Sequence, residues 1–171
     1  MIRLATLSDL EAIWTLRQET SALLKSRNID QWQHQNPSRT TFIRDIESGE
    51  FFVYEKSGQI VGMIAIKSGI ERTYLTIYDG AWGDDLPYQT IHRLAVKKDY
   101  LGTSIAKEML DYAELIAKQR NTPYIRIDTY FTNMNAIRLF KNQGYILRGW
   151  IILEPGEGDL RRLAFDKKLE D

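Results

Sequence analysis

The sequence predicts an α/β (α+β) fold in which helices cover a single central sheet. Apolar residues alternate in several short segments, as Ile2 and Leu4 do, which is typical of half-buried strands. In longer segments apolar residues recur every three or four positions, as Ile105 and Met109 do, which is typical of amphipathic helices. Because the two patterns are interleaved along the chain, the helices are expected to pack on the faces of a shared sheet.

Composition narrows the class of protein. A chain of 171 residues without repeat or linker suits one domain, residues 1–171, and its 43% hydrophobic content excludes disorder. The 23 basic residues balance the 23 acidic ones, so neither nucleic acid nor a membrane is expected as a partner. Without cysteine, a thiol nucleophile, a disulfide and a cysteine zinc site are excluded. No apolar run resembles a membrane span or a signal peptide, so a cytoplasmic location is expected.

The N-terminal half is predicted to contain a strand, two helices and a meander. Met1–Thr6 alternates as a strand, and Ser8 with Glu11 predicts a capping box at the start of the first helix. The apolar stripe of that helix runs to about Leu24, and Ser38 is predicted to open a second helix. The meander that follows comprises Phe51–Tyr54 and Ile60–Ile66, joined by a hairpin turn at 56–59, and an extension at Tyr74–Tyr78.

The C-terminal half is predicted to begin with the central strand, which starts near Tyr88 and ends at Val96. A loop of small residues follows, and a long amphipathic helix starts near Ile105. The remaining predicted elements are a strand at Tyr124–Thr129, a helix capped at Asn133 and ended by Gly144, and two strands at about Tyr145–Leu153 and Arg162–Leu169.

The small-residue loop has two interpretations that the local pattern leaves open. Free N–H groups and the helix dipole at a helix start bind anions, and small side chains let a phosphate approach them. An ordinary strand-to-helix connection would also use Gly102 for its turn. A Walker loop and a dinucleotide fingerprint are excluded, because the terminal Gly-Lys-Ser/Thr and the spaced glycines are missing.

Two segments together resemble the GNAT superfamily of N-acetyltransferases. Leu94–Val96 and the loop after it resemble motif A, a strand ending in Leu-x-Val followed by Gln/Arg-x-x-Gly-x-Gly/Ala. In this loop Leu101 stands at the Gln/Arg position, Ser104 at the first motif glycine and Ala106 at the second. The segment Asn133–Tyr145 resembles motif B, written Asn-x-x-Ala-x-x-Leu-Tyr with a closing Gly-Phe, and Tyr145 replaces the closing Phe.

The resemblance implies a GNAT-like fold, an activity and a cofactor site. The sheet would be mixed and mostly antiparallel, with about six to seven strands, splayed central strands and about four helices. Acetyl-CoA would be the co-substrate, its acetyl group passing directly to an amine of a small molecule or a protein, without a metal. The backbone of Leu94 and Val96 would pair with the pantetheine arm, beside a bulge that frees an amide for the acetyl oxygen, and Asn133 would contact the arm from the other side. Backbone amides would bind the pyrophosphate at Leu101, Gly102, Thr103, Ser104, Ile105 and Ala106.

The sequence indicates the catalytic residues less clearly than the cofactor site. The tyrosine that serves this family as an acid falls at Phe140, which has no hydroxyl, so Tyr145 is the first candidate replacement, ahead of Tyr130 and Tyr112. His92, at the start of the central strand, is the candidate base, since an ordinary imidazole titrates near ~6.5. Each of these side chains could equally be a packing residue.

The acceptor side has two candidate residues. Trp32, in a polar loop, is either a wall of the substrate site or a plug on the core, and Asp128 either binds a cationic acceptor or pairs with Arg126 or Arg93. The two histidines lack metal-ligand spacing, so no metal is expected. A homodimer is compatible with the sequence. The alternative function is a non-catalytic acyl-CoA-binding sensor on the same fold, because Phe140 and the altered loop depart from the family motif.

Overall fold

The computed structural model describes residues 1–170 and contains one seven-stranded sheet with four α-helices. The strand order is β1-β2-β3-β4-β5-β7-β6, and every pair is antiparallel except β4 with β5. This mostly antiparallel arrangement confirms the predicted fold class. The strands are β1 (Ile2–Leu4), β2 (Phe51–Lys56), β3 (Gln59–Ser68), β4 (Gln89–Val96), β5 (Tyr124–Tyr130), β6 (Ile146–Ile152) and β7 (Arg161–Lys168), and the helices are α1 (Leu10–Ser26), α2 (Arg39–Glu47), α3 (Ile105–Gln119) and α4 (Met134–Asn142).

The two central strands separate part of the way along the sheet. β4 and β5 are paired from Gln89 only as far as Ile91, which lies opposite Ile127. Beyond that pair β4 stays on β3 and β5 stays on β7, so a fork opens between them. The splayed central strands are therefore present, and the fork exposes one backbone edge of β4.

The helices cover both faces of the sheet, as the interleaved patterns predict. On one face, α3 and α4 enclose the larger core with Met109, Ile91 and Ile127, all at most 2% exposed. On the opposite face, α1 and α2 cover β2, β3 and the end of β4 around Phe42 and Phe51. The segment 69–88 covers β5 to β7 on that same face, packed on Tyr124, Ile151 and Ala164. The fork lies between these two covers.

A β-bulge interrupts β4 within the fork. The register between β3 and β4 shifts where Met63 pairs with Ala95 and Ala65 pairs with His92, so β4 has one extra residue there. Arg93 absorbs it with a left-handed backbone, φ 56°. Its guanidinium lies 3.1 Å from Asp45 of α2, an ion pair that fixes the side chain on the α2 face. The bulge expected from the resemblance is thus present, at Arg93.

Two local predictions were wrong. The segment Tyr74–Tyr78 does not extend the meander: a short 3₁₀ helix occupies Arg72–Tyr74, and only Tyr78 bridges to Trp150 of β6. The predicted capping box is displaced by two residues. Asp9, rather than Glu11, caps the first turn, because its carboxylate accepts bonds from the amide and hydroxyl of Thr6 and is fixed by Arg3.

Candidate active site

A cavity of about 330 Å³ lies at the fork between the two covers, and its lining includes Ile91 and Ile127 of the α3 face as well as His92 and Asp128 of the opposite face. Ile91 and Ile127 are paired, so the next residues along each strand, His92 and Asp128, face each other across the fork on the opposite side of the sheet. The cavity brings together residues from six parts of the chain. The predicted site residues that line it are Trp32, His92, Leu94, Asp128 and Asn133, together with Phe140.

His92 is held by a carboxylate that the sequence analysis did not identify. Its Nε2 lies 3.0 Å from Oε2 of Glu71, which also lines the cavity. The hydrogen bond to His92 is the main reason that the pKa of Glu71 is lowered from 4.5 to about 2, and burial opposes it. Thr73 donates its amide and hydroxyl to Oε1 of the same carboxylate. Glu71 is therefore ionised at neutral pH and fixed beside the imidazole.

Asp128 is held by Tyr74, from the same short segment. The Tyr74 hydroxyl donates a 2.6 Å hydrogen bond to Oδ2, and its ring lies 6.2 Å from the His92 ring. Burial, followed by the charge of Asp128, raises the pKa of Tyr74 well above its ordinary value, so the phenol keeps its proton. Asp128 forms no ion pair with Arg126 or Arg93 within 4.0 Å, and Arg126 packs on Trp82 and Tyr88 instead.

The loop that carries Trp32 forms the roof of the cavity. Trp32 has a left-handed backbone, φ 62°, and its carbonyl accepts a 2.6 Å bond from Ser21 of α1. The buried guanidinium of Arg17 donates to the carbonyls of His34, Asn36 and Pro37, so the loop is anchored to α1 along its length. Trp32 packs against the core, as one interpretation predicts, and it also lines the cavity, while its contact with a substrate stays a prediction.

Asn133 joins the roof to α4. Its side-chain oxygen caps the helix by accepting from the Ala136 amide, and its amide nitrogen donates to Gln31 in the roof loop at 3.2 Å. The side chain lines the cavity but already has protein partners on both polar atoms. A contact between Asn133 and the pantetheine arm stays a prediction, and the second hydrogen of the side-chain amide is the donor it would use.

The loop before α3 presents unpaired backbone donors. Gly102 has φ 77°, and the residues from Leu101 to Ser104 are exposed, whereas the side chain of Ile105 is buried in the core. Within residues 1–170, the amides of Ala106 and Lys107 in the first turn of α3 have no acceptor, while the Ile105 amide is 3.5 Å from Thr103 Oγ1. These are the donors that an anion at a helix start would use.

The exposed edge of β4 carries a second set of free backbone groups. The amide of Lys97 points toward β3, because it donates to the carbonyl of Val61. The N–H and C=O groups of successive residues in a strand point alternately to its two sides. The backbone groups of Leu94 and Val96 therefore point away from β3, into the fork. An extended chain laid along this edge would pair with it as an added strand.

Tyr145 is not brought to the cavity, which corrects its selection as the acid. It is 3% exposed and packs against Phe140 in the core between the sheet and α4. Burial raises the pKa of its hydroxyl well above the ordinary value, and that hydroxyl has no hydrogen-bond partner within residues 1–170. Its place just after α4 turns it to the core face. Tyr130 and Tyr112 also lie outside the cavity lining. Among residues 1–170, therefore, no tyrosine side chain lines the cavity.

The described residues contain neither a metal-binding cluster nor a membrane-spanning helix. Residues 1–170 contain no group of three or more histidine, cysteine, aspartate or glutamate side chains arranged to hold a metal ion. Within the same residues, no helix has the length and apolar character needed to cross a membrane.

Comparison with known proteins identifies the class. The sequence matches the Acetyltransferase (GNAT) family over residues 11–145, more than half of the chain, so the chain belongs to the GNAT acetyltransferase family. It is 25% identical over 149 residues to the uncharacterized N-acetyltransferase YesJ of Bacillus subtilis, covering 85% of this chain and 81% of YesJ. A GNAT-family acetyltransferase from Streptococcus agalactiae has a TM-score of 0.89 at 29% identity, with 100% of this chain and 96% of the other covered.

A more distant structure shares the fold alone. The PaiA N-acetyltransferase from Thermoplasma acidophilum, solved in complex with coenzyme A, has a TM-score of 0.71 at 19% identity, with 98% of each chain covered. The GNAT family transfers acetyl groups from acetyl-CoA. The free amides of the α3 loop and the open edge of β4 fit such a co-substrate, because both present donors that the protein itself does not use.

Proposed function

We propose that the protein transfers the acetyl group of acetyl-CoA to an amine small enough to enter the fork cavity. The observation that supports this most strongly is the convergence of the open β4 edge with a roofed cavity of about 330 Å³ that is lined by a histidine and three carboxylates. Its roof leaves room for a small molecule or a single extended side chain.

The cofactor side of the site is supplied by backbone groups. Within residues 1–170, the amides of Gly102, Ser104 and Ala106 have no acceptor and hold the pyrophosphate, whereas those of Leu101 and Thr103 already donate to the carbonyls of Lys98 and Tyr100. The backbone of Leu94 and Val96 pairs with the pantetheine arm, and the bulge at Arg93 turns an amide toward the acetyl oxygen. Acetyl-CoA supplies the activated acetyl thioester.

His92 removes the proton of the acceptor amine. Glu71 accepts the hydrogen bond from Nε2, which leaves Nδ1 as the atom that takes the proton, directly or through a water. Because Glu71 is ionised, it stabilises the imidazolium that forms. Glu71 is thus a positioning residue, and His92 is the catalytic residue.

The departing thiolate needs no tyrosine in this proposal. An ordinary thiol has a pKa near ~8.5, so it leaves as a thiolate with the help of water. General acid catalysis contributes about 10²–10⁴-fold where it operates. A working enzyme that turns over slowly is the expected result of Phe140 in place of the usual acid.

A panel of amines tests the proposal, with CoA release as the readout and mass spectrometry to identify the acetylated product. The panel contains amino acids, polyamines, aminoglycosides and peptides. Turnover of any of them supports the enzyme, whereas binding of acetyl-CoA without any release supports the sensor alternative. His92→Gln should lower the rate and flatten the acid limb of the pH profile across pH 6–9, roughly the window that a histidine base controls. His34→Gln, which removes the other histidine, should retain the acid limb.

A further inference from the structure

We propose that the acceptor is a dication, an amine that carries a second positively charged group a few bonds away, as a linear diamine or polyamine does. This inference rests on the proposed function, which places the reacting amine beside His92 in the fork cavity. It adds the charge and the shape of the rest of the acceptor. Both follow from the walls of the cavity.

The charged side chains that line the fork cavity are mostly acidic. Glu71, Asp128 and Glu154 are carboxylates, and Arg93 is the one arginine or lysine among the lining residues that the structure describes. The charge of Arg93 is compensated by Asp45, at 3.1 Å behind the cavity wall. An acceptor that carries a carboxylate or a phosphate would therefore be repelled, whereas a second cation would be attracted.

Asp128 has the capacity to bind that cation. Both oxygens of Glu71 are engaged, by His92 and by Thr73, but Asp128 accepts one hydrogen bond, from Tyr74 to Oδ2. Among residues 1–170, no basic side chain lies within 4.0 Å of its carboxylate, and the nearby Arg162 donates to backbone carbonyls instead. Arg93 and Arg162 are close enough to interact with the charge of Asp128 but bond to other groups, so an ammonium group at Oδ1 would be the direct cationic partner of this half-buried carboxylate.

The geometry of the fork sets the spacing of the two positive groups. His92 and Asp128 come one residue after Ile91 and Ile127, the last paired residues of strands that lie about 5 Å apart, so they lie where the two strands begin to separate. An amine at His92 and an ammonium at Asp128 are therefore separated by a short alkyl chain. A compact monoamine cannot reach both.

A second acidic cavity lies beside the fork cavity. It has a volume of about 330 Å³, shares Trp32 and Pro155 with the first, and is lined by Asp30 and Glu157. No lysine or arginine lines it within the described residues, and His34 lies 3.3 Å from Asp30 and 3.6 Å from Glu157. A polyamine long enough to pass the Trp32 side chain would place its further ammonium groups near these carboxylates.

Three acceptors of equal chain length test the inference: diaminobutane with an amine at each end, butylamine, and the aminobutanoate with a terminal carboxylate. kcat/KM is measured by CoA release. Diaminobutane is expected to exceed butylamine by about tenfold or more, the effect of one added charge-assisted hydrogen bond, and aminobutanoate is expected to be the poorest. Equal values for diaminobutane and butylamine, or a preference for aminobutanoate, would overturn the inference.

Asp128→Asn tests whether Asp128 causes the preference for diaminobutane over butylamine. It should raise KM for diaminobutane more than for butylamine, so the ratio of the two kcat/KM values falls toward one. Asp85→Asn is the matched control, since it removes a carboxylate from an exposed loop outside both cavities and should leave the ratio unchanged. A ratio that Asp128→Asn leaves intact would contradict the assignment.

A binding measurement separates this inference from the proposed function. Calorimetry with CoA-loaded protein compares the affinities of the same three compounds without any turnover. If no amine releases CoA but diaminobutane binds more tightly than butylamine, the enzyme proposal fails and the charge preference stands. If butylamine is acetylated as efficiently as diaminobutane and binds as tightly, the charge preference alone fails.

Discussion

At the fork, the two faces of β4 and β5 carry side chains of different chemistry. On one face Ile91 and Ile127 are at most 2% exposed and pack into the core beneath α3, although both also contribute to the cavity lining. On the other face their immediate neighbours, His92 and Asp128, line a cavity and bond to Glu71 and Tyr74. Since side chains alternate along a strand, one residue step separates a contribution to stability from a contribution to chemistry. The predictions below test that separation.

The largest expected difference is between Ile127→Ala and Asp128→Asn. Removing the buried Ile127 side chain should lower the free energy of unfolding by about 2–5 kcal/mol, because it leaves a cavity in the core. Asp128→Asn should cost much less, since the amide oxygen still accepts the Tyr74 hydroxyl. Urea unfolding measures both. Equal losses would show that the cavity face is as important to stability as the core face.

Glu71 should make the cavity face sensitive to acid. Its folded pKa, about 2, lies below the ordinary 4.5, so it contributes stability above pH 4.5 and loses that contribution as the pH falls toward about 2. The contribution is at most about 3 kcal/mol. Over this pH range, Glu71→Gln should lose less stability than the unmodified protein does, whereas Glu19→Gln, an exposed change on α1, should behave like the unmodified protein. Identical acid curves for Glu71→Gln and the unmodified protein would show that the ionised Glu71 carboxylate does not contribute to stability.

Ser104→Glu tests the donors at the start of α3. The new carboxylate would lie where the pyrophosphate is expected and beside Glu108, whose carboxylate now accepts the Ser104 hydroxyl. Acetyl-CoA affinity, measured by calorimetry, should fall by about tenfold or more. Gln18→Glu adds the same charge to an exposed position of α1 and should have no effect. Unchanged affinity in folded Ser104→Glu would show that the pyrophosphate binds elsewhere.

The smallest effects are expected at Tyr145. Its hydroxyl is buried without a partner, so Tyr145→Phe should leave the free energy of unfolding unchanged or raise it by less than about 1 kcal/mol. The rate of CoA release should not change, because the residue does not line the cavity. A rate reduced by about tenfold would restore Tyr145 as the acid. Phe140→Tyr, by contrast, places a hydroxyl at the cavity wall and is the variant in which turnover could rise.

The sequence predicts the parts of the fold that depend on local pattern. The amphipathic α3, the loop of small residues before it and the Asn133 cap of α4 all have short-range signals, and the structure contains all three. The contact between Glu71 and His92 has no such signal, because the two residues are 21 positions apart and meet only when the segment 69–88 folds back over β4. The prediction of a strand at Tyr74–Tyr78 was wrong for a related reason. Apolar alternation indicates a strand there, but a 3₁₀ turn forms and brings Tyr74 to Asp128.

The family motif also shows what a resemblance leaves undecided. It placed the open edge at Leu94 and Val96 correctly relative to the fork, because backbone geometry follows the motif. It could not show that Tyr145 faces the core, since that depends on how the chain turns after α4. The orientation of side chains therefore needed the tertiary structure, whereas the path of the backbone did not, and the binding roles of Leu94 and Val96 stay predictions.

Residue-resolved amide hydrogen exchange, with and without acetyl-CoA, tests the central claim most directly. If the arm of the co-substrate pairs with β4 inside the fork, the amides of Leu94 and Val96 gain protection, and so does that of Ala106 at the start of α3. The amide of Ala95, which points toward β3, should change little. Bound acetyl-CoA that leaves the exchange of Leu94 and Val96 unaltered would contradict the assignment of the fork as the site of acetyl transfer.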